Sequence, residues 1–170
     1  VACLNKKVSG LIVTSLADTR KKSVQMGLAR NKLFGAISPL LLSKLSVLTD
    51  DLKIPIKWTT KMWAMANNSN FVNDLMDDKV GSGSWVFLKF FRTLFDASPE
   101  IEPENFDLCP LLFLQPEKDY IIPWSMSKPF YDALSCPKSL VFLENCGHIP
   151  LEKPGTDQMI KSVVEFLEKL

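Results

Sequence analysis

The sequence predicts an α/β fold with a parallel sheet, interrupted by a long helical insertion. Three short runs, Val8–Thr14, Leu111–Leu114 and Ser139–Leu143, are almost wholly apolar instead of alternating, which is typical of strands buried on both faces of a parallel sheet. A helical segment of crossover length, Ser125–Ser135, separates the second run from the third. With a final helix over Thr156–Leu170, the β-α-β-α order is that of a doubly wound sheet.

The final helix is predicted from its apolar periodicity. Ile160, Val163, Val164 and Leu167 recur at the spacing of one apolar helical face.

The middle of the chain, from about Arg20 to Glu104, contains no strand-like run. Helical periodicity predicts several short helices there, including Thr59–Ala66, Phe71–Lys79 and Ser84–Ala97, with Gly81-Ser82-Gly83 as a flexible link. Because this segment is inserted between two neighbouring parallel strands, we expect an all-helical lid over their carboxyl ends.

Composition excludes several classes of protein. Hydrophobic residues make up 46% of the 170 residues, and 20 basic residues balance 19 acidic ones to a net charge of +1. Such a balance gives no electrostatic reason to expect nucleic acid or an anionic membrane as a partner. The most apolar stretch, Leu33–Leu48, is interrupted by Pro39 and Lys44 and does not predict a membrane span.

The four cysteines, Cys3, Cys109, Cys136 and Cys146, lack the paired spacing of a zinc site. We interpret them as free thiols, with Cys3 and Cys109 as small core residues, and therefore predict a reducing compartment such as the cytoplasm. The alternative is two disulfides in an exported protein.

His148, the only histidine, follows the third predicted strand directly, within Cys146-Gly147-His148-Ile149-Pro150. Open α/β sheets place their ligand sites at the carboxyl ends of strands, and the preceding glycine allows a sharp turn. We therefore predict a catalytic role for His148; the plainer alternative is a histidine hydrogen-bonded within a loop.

Asp119 follows the preceding strand in the same way, 29 residues before His148. Both side chains should emerge at one edge of the sheet, where a carboxylate can accept the ring N–H and fix the tautomer of the imidazole. The alternative is an aspartate that caps the next helix. Glu117 and Lys118 are interpreted as solvated turn residues.

The segments PLLFLQPEKDYIIPW and PKSLVFLENCGHIPLEKPG, followed by an amphipathic helix, resemble the carboxyl-terminal part of an α/β-hydrolase-fold protein. More loosely, TSLADTRKKSVQMGLARNK and KMWAMANN are similar to bacterial hydrolases with a helical cap. The resemblance implies that the three strands are the last three of that sheet, that Asp119 is the acid and His148 the general base, and that no cofactor or metal is needed. Pro116 departs from the glycine that many members carry in the acid turn.

The nucleophile of this family lies in a G-x-S-x-G turn, which the 170 residues do not contain. Ser82 has no apolar strand before it, and Val1–Lys7 is similar to the end of the helix that would follow the turn. The resemblance thus implies a carboxyl-terminal portion in three parts: residues 1–18 with the first core strand, a cap over 19–105, and a core with the acid and histidine loops over 106–170. The oxyanion hole would also lie outside this chain, so we predict no turnover by the chain alone.

Two further hypotheses concern the site and the substrate. Asp18, after the first predicted strand, is a second candidate acid, because some relatives place the acid there; otherwise it caps a helix. The clustered aromatics either pack the cap helices together or line a pocket for a small apolar acyl substrate. They are Trp58, Trp63, Trp85, Phe87, Phe90, Phe91, Phe95 and Trp124.

The predicted function is a serine hydrolase, esterase- or lipase-like, that acts on ester, thioester or related acyl bonds. The alternatives are a dehalogenase or epoxide hydrolase with an aspartate nucleophile, and a noncatalytic binding module that keeps the sheet and cap as an interaction surface. In each case the outer edge of the Val8–Thr14 strand should be covered by the missing amino-terminal half or by a second copy.

Overall fold

A computed structural model describes residues 7–81 and 83–170 of the chain. They form two compact units: a sheet unit, residues 7–17 with Pro99–Leu170, and a helical unit, Asp18–Ser98. Cys3, Ser82 and all of the predicted leading helix end except Lys7 lie outside the described residues.

The elements follow in chain order. The strands are β1 (Leu11–Thr14), β2 (Lys53–Pro55), β3 (Trp85–Phe87), β4 (Leu111–Pro116) and β5 (Lys138–Leu143). The α-helices are α1 (Lys22–Leu28), α2 (Lys32–Lys44), α3 (Ser46–Thr49), α4 (Ile56–Thr59), α5 (Ser69–Asp77), α6 (Leu88–Asp96), α7 (Trp124–Ala133) and α8 (Gly155–Leu167). Short 3-10 turns occur at Met62–Ala64 and Pro103–Asn105.

The sheet unit contains the predicted parallel sheet, in the order β1-β4-β5. Leu11 pairs with Leu111, and Leu111 with Lys138, so the strands run in register toward the same edge. All six residues of the central strand β4 are buried: the apolar run Leu111–Leu114, as its sequence predicts, and then Gln115 and Pro116. The α/β fold with three neighbouring parallel strands is thereby confirmed.

Of the four apolar residues predicted on one face of α8, only Val163 packs against the sheet. Met159, Val163 and Phe166 pack against the cluster formed by Leu112, Leu114, Leu143 and Cys146. Ile160, Val164 and Leu167 are instead 60%, 49% and 55% exposed. The helix carries two apolar stripes, so its periodicity alone could not decide which one is buried.

The helical unit is not entirely helical, which corrects the expectation of an all-helical insertion. Strands β2 and β3 pair antiparallel, with Ile54 opposite Val86. The helix predicted over Thr59–Ala66 is also wrong: α4 ends at Thr59, and only a 3-10 turn follows. The prediction for Phe71–Lys79 is close, since α5 covers Ser69–Asp77.

Two further predictions concern the insertion. The helix predicted over Ser84–Ala97 begins later than expected. Its first residues form strand β3, and α6 starts only at Leu88. Pro39, expected to break the helical pattern, lies inside α2. Within the described ranges, every helix is too short or too polar to cross a lipid bilayer.

Candidate active site

The turn after β4 is built around the carboxylate of Asp119, which is only 2% exposed. Its Oδ1 accepts hydrogen bonds from the backbone N–H groups of Ile121, at 2.9 Å, and Ile122, at 2.8 Å. The buried Gln115 amide donates to the carbonyls of Pro116 and Ile122, both at 3.2 Å. Gln115 therefore ties the two ends of the turn together and fixes where Asp119 points.

His148 lies in the turn after β5, and this turn is fixed by contacts with Glu152. Asn145 has a left-handed backbone with φ of 63°, so the residue that makes the sharp turn is Asn145 and not, as expected, Gly147. The backbone N–H of Gly147 donates to the Glu152 carboxylate at 3.1 Å, and the thiol of the fully buried Cys146 lies 3.1 Å from the Glu152 carbonyl.

The two turns are bonded directly to each other. The backbone N–H of Glu117 donates to the carbonyl of Leu143 at 3.0 Å, and that of Lys118 donates to the carbonyl of Cys146 at 2.9 Å. The Glu117 carboxylate accepts the N–H of Asn145 at 3.0 Å. Although Glu117 and Lys118 are exposed, as predicted, they also connect the acid turn to the histidine turn.

This arrangement brings the Asp119 carboxylate and the His148 imidazole into contact, with 2.8 Å between Oδ2 and Nδ1. The Asp119 side chain is inaccessible to solvent, whereas that of His148 is 25% exposed. Burial alone would raise the pKa of Asp119, but the hydrogen bonds from His148, from the Ile122 N–H and from Ser15 outweigh it, so the pKa lies below its ordinary value. An ionised carboxylate only accepts hydrogen bonds, so His148 carries its proton on Nδ1 and leaves Nε2 free to accept one.

Ser15, the residue after β1, is a member of this cluster that the sequence analysis missed. Its hydroxyl donates to Asp119 Oδ2 at 2.7 Å, and the residue is 3% exposed. The signal in the sequence is its position at the carboxyl end of a parallel strand, the same position from which Asp119 and His148 are predicted.

Asp18, the alternative acid, has a different partner. Its two carboxylate oxygens bind the guanidinium of Arg20, at 2.9 Å to Nε and 3.0 Å to Nη2. These side-chain hydrogen bonds, acting against partial burial, lower the pKa of Asp18. Within the sheet unit Asp119 contacts His148, while Asp18, in the helical unit, is bound by Arg20.

The clustered aromatics are divided between the two units. In the helical unit Phe91 is buried, while Trp58, Trp63 and Trp85 are each more than 60% exposed. An open groove of about 580 Å³ within that unit is lined in part by Trp85, Phe87 and Phe90. In the sheet unit the ring of Trp124 packs edge-on against Phe113 and Phe142.

Three of the four cysteines lie among the described residues: Cys136 and Cys146 are free, buried thiols, and Cys109 is buried. Burial raises the pKa of both Cys136 and Cys146, which keeps these thiols protonated and poorly nucleophilic. A cytoplasmic location stays a prediction. The described part of the chain contains no group of three or more histidine, cysteine or carboxylate side chains able to hold a metal ion.

Comparison with known proteins gave matches in structure alone. No family model and no curated protein sequence matches the chain. A monoacylglycerol lipase from Paleococcus ferrophilus superposes with a TM-score of 0.69 at 17% identity, over 95% of this chain and 59% of its own. For a soluble variant of monoglyceride lipase from Saccharomyces cerevisiae, the TM-score is 0.70 at 12% identity, over 96% and 54%.

A putative non-heme bromoperoxidase from Mycobacterium tuberculosis also matches, with a TM-score of 0.53 at 14% identity, over 95% of this chain and 58% of its own. The present chain therefore spans little more than half the length of these structures. At such low identity the likeness concerns the fold. Together with the strand order and the resemblance of its sequence segments, it shows that the chain has the fold of the carboxyl-terminal part of an α/β hydrolase.

Proposed function

We propose that this chain supplies the acid and the general base of a hydrolase that cleaves ester, thioester or similar acyl bonds. The observation that carries the proposal is the contact between His148 Nδ1 and Asp119 Oδ2, made at the carboxyl ends of two adjacent parallel strands. A structural histidine needs no buried carboxylate held by several donors. A general base does, since the carboxylate stabilises the charge that the imidazole acquires.

In the proposed mechanism, Nε2 of His148 accepts the proton of a nucleophilic hydroxyl as its oxygen bonds to the acyl carbon of the substrate. Asp119 stabilises the imidazolium through Nδ1. When the bond to the leaving group breaks, His148 returns the proton to that group. A water molecule, deprotonated in the same way, then releases the acid and restores the nucleophile.

The nucleophile and the oxyanion hole are proposed to come from polypeptide outside these 170 residues, which contain no G-x-S-x-G turn. Two surfaces of the sheet unit favour such a complement. Among the described residues β1 pairs with β4 alone, and α8 exposes its second apolar stripe of Ile160, Val164 and Leu167. The amino-terminal half of the fold, or otherwise a second copy of this chain, would cover them.

The substrate class is proposed from the neighbours and from the aromatics. The two lipases are named for monoacylglycerols. The groove containing Trp85, Phe87 and Phe90 offers an apolar surface within the helical unit that suits a small acyl chain.

The test is covalent labelling with a fluorophosphonate probe, which reacts with serines activated by a general base. The full-length product of the reading frame that contains this sequence should become labelled, and His148→Ala should abolish that labelling. Asp119→Ala should slow it by about 10⁴-fold, the scale on which removing the acid of such a triad acts. Asp18→Ala is the matched control, because it removes a carboxylate bound to Arg20, and it should leave the rate unchanged. The 170-residue chain alone should stay unlabelled.

Other outcomes would separate the alternatives. Labelling that survives His148→Ala would overturn the proposal. An intact protein whose strand-to-helix turn holds aspartate, unlabelled but able to release halide or open an epoxide, would establish the aspartate-nucleophile chemistry. A protein with a serine turn that remains inert to the probe would be a noncatalytic binding module.

A further inference from the structure

Ser15 occupies an unusual backbone position at the end of β1. Its φ is 49°, in the left-handed region that residues other than glycine rarely adopt. Its N–H donates to the carbonyl of Leu114 at 3.3 Å, which extends the ladder between β1 and β4 by one residue. The side chain is thereby directed into the buried space where Asp119 lies.

The contacts of Asp119 show what the Ser15 hydroxyl contributes. Oδ1 accepts two backbone N–H groups, from Ile121 and Ile122, while Oδ2 accepts both the Ser15 hydroxyl and His148 Nδ1. Each oxygen thus receives two donors. Rotation of the carboxylate away from His148 would break the bond to Ser15 as well.

A role for Ser15 as the nucleophile does not fit this geometry. Its hydroxyl hydrogen is donated to the carboxylate, on the Nδ1 side of the imidazole. A nucleophile has to face Nε2, the nitrogen that is free to take its proton.

We infer that Ser15 is a positioning residue, which holds Asp119 Oδ2 against His148 Nδ1 and so keeps the imidazole in the tautomer that leaves Nε2 unprotonated. The inference rests on the proposed function, which it extends to a third strand of the sheet. All three parallel strands then contribute a side chain to one hydrogen-bonded chain: Ser15 from β1, Asp119 from β4 and His148 from β5.

The test uses the fact that His148 is the only histidine, so every imidazole signal in an NMR spectrum belongs to it. In the 170-residue chain, the Nδ1 proton should give a low-field resonance that exchanges slowly with water. Ser15→Ala and Ser15→Gly should each speed that exchange about tenfold, the effect of roughly one hydrogen bond to a charged group. In the longer protein, both Ser15 variants should slow fluorophosphonate labelling, again about tenfold. The labelled residue should not be Ser15.

The two substitutions separate the hydroxyl from the backbone. Alanine keeps a side chain in the left-handed conformation, whereas glycine relieves it. If Ser15 serves only to form the turn, Ser15→Gly will behave like the unmodified chain, and the inference fails. Ser127→Ala is the matched control, because Ser127 is equally buried in the sheet unit and its hydroxyl has no hydrogen-bond partner among the described residues; it should leave the resonance unchanged.

Asp119→Ala distinguishes this inference from the proposed function. It removes the acceptor of the Nδ1 proton, so the low-field resonance should disappear. If Asp119→Ala removes the resonance while both Ser15 variants keep its exchange rate, the inference alone is wrong. If Asp119→Ala leaves the resonance intact, the proposed acid–base pair fails as well.

Discussion

The sheet unit and the helical unit place their apolar side chains very differently. In the sheet unit, Leu111, Leu112, Phe113 and Leu114 are each at most 2% exposed. In the helical unit, α2 carries Leu33 and Leu40 at 68% and 62% exposure. The candidate site is therefore built on the unit with the continuous core, where backbone hydrogen bonds between rigid strand ends fix its geometry. The helical unit instead exposes apolar side chains, which suit the binding of a substrate or partner more than the positioning of catalytic groups.

The largest expected effect tests whether stability is concentrated in the sheet unit. Phe113 is fully buried and packs edge-on against Trp124 and Tyr131, so Phe113→Ala should lower the free energy of unfolding by about 3–5 kcal/mol. Leu40→Ala, on the exposed face of α2, should change it by less than about 0.5 kcal/mol. Urea unfolding followed by circular dichroism measures both. Equal losses would show that the difference in burial does not translate into stability.

A second prediction compares two glycines, one in each unit, and tests whether the helical unit is packed as tightly at that point as the sheet unit. A Cβ on Gly155 would lie 2.5 Å from the Glu144 carbonyl and 2.4 Å from the Cys146 sulfur, beneath the histidine turn. A Cβ on Gly35, in α2, would lie 2.7 Å from the Gln25 carbonyl of α1. Since backbone must shift in both cases, each change to alanine should cost about 1–3 kcal/mol of unfolding free energy.

Gly10→Ala is the control for both, because its Cβ would meet the flexible methyl groups of Leu170 at 2.9 Å. We expect a smaller loss there. If Gly35→Ala lowers the free energy of unfolding no more than Gly10→Ala, the contact between α1 and α2 is loosely packed. The two units would then differ in packing even more than the structure indicates.

The sheet unit was also the more predictable from sequence, for a physical reason. Leu111–Leu114 could be assigned because a run with no polar residue can only be satisfied by burial on both faces. Asp119 and His148 could be paired because the ends of adjacent parallel strands converge on one edge. By contrast, β2 and β3 have three residues each, too few to show a period, and they pair across about thirty residues of sequence.

Other features depend on tertiary contacts that no local pattern records. Ser15 follows a strand as many turn serines do, and its left-handed φ becomes meaningful only once Asp119 lies beside it. On α8 the predicted Val163 is buried but Ile160 is not. Because Ile160 and its neighbour Met159 are both apolar, only the packing of α8 against the sheet shows that Met159 is the buried one.

The acid dependence of stability should reflect the Asp119 carboxylate. Its pKa is lower in the folded chain than in the unfolded one, so the ionised form stabilises the fold above pH 4. That contribution is lost as the pH falls from about 4 through the pKa of the folded state. The difference in unfolding free energy between the unmodified chain and Asp119→Asn should therefore be largest near neutral pH and shrink below about pH 4. A difference that stays constant down to pH 2 would contradict the assignment.

The smallest effect is expected from the ion pair between Asp50 and Arg92 in the helical unit. Its geometry is bidentate, at 2.9 Å from Nε to Oδ1 and 2.6 Å from Nη2 to Oδ2, and the hydrogen bond from Arg92 lowers the pKa of Asp50. Water and salt screen such a pair, unlike the buried Asp119 carboxylate. Asp50→Asn should thus lower the urea midpoint less than any of the core changes, and the loss should vanish in 1 M salt. Asp51→Asn alters the net charge equally at the neighbouring exposed residue, so a matching loss there would assign the effect to net charge instead of the pair.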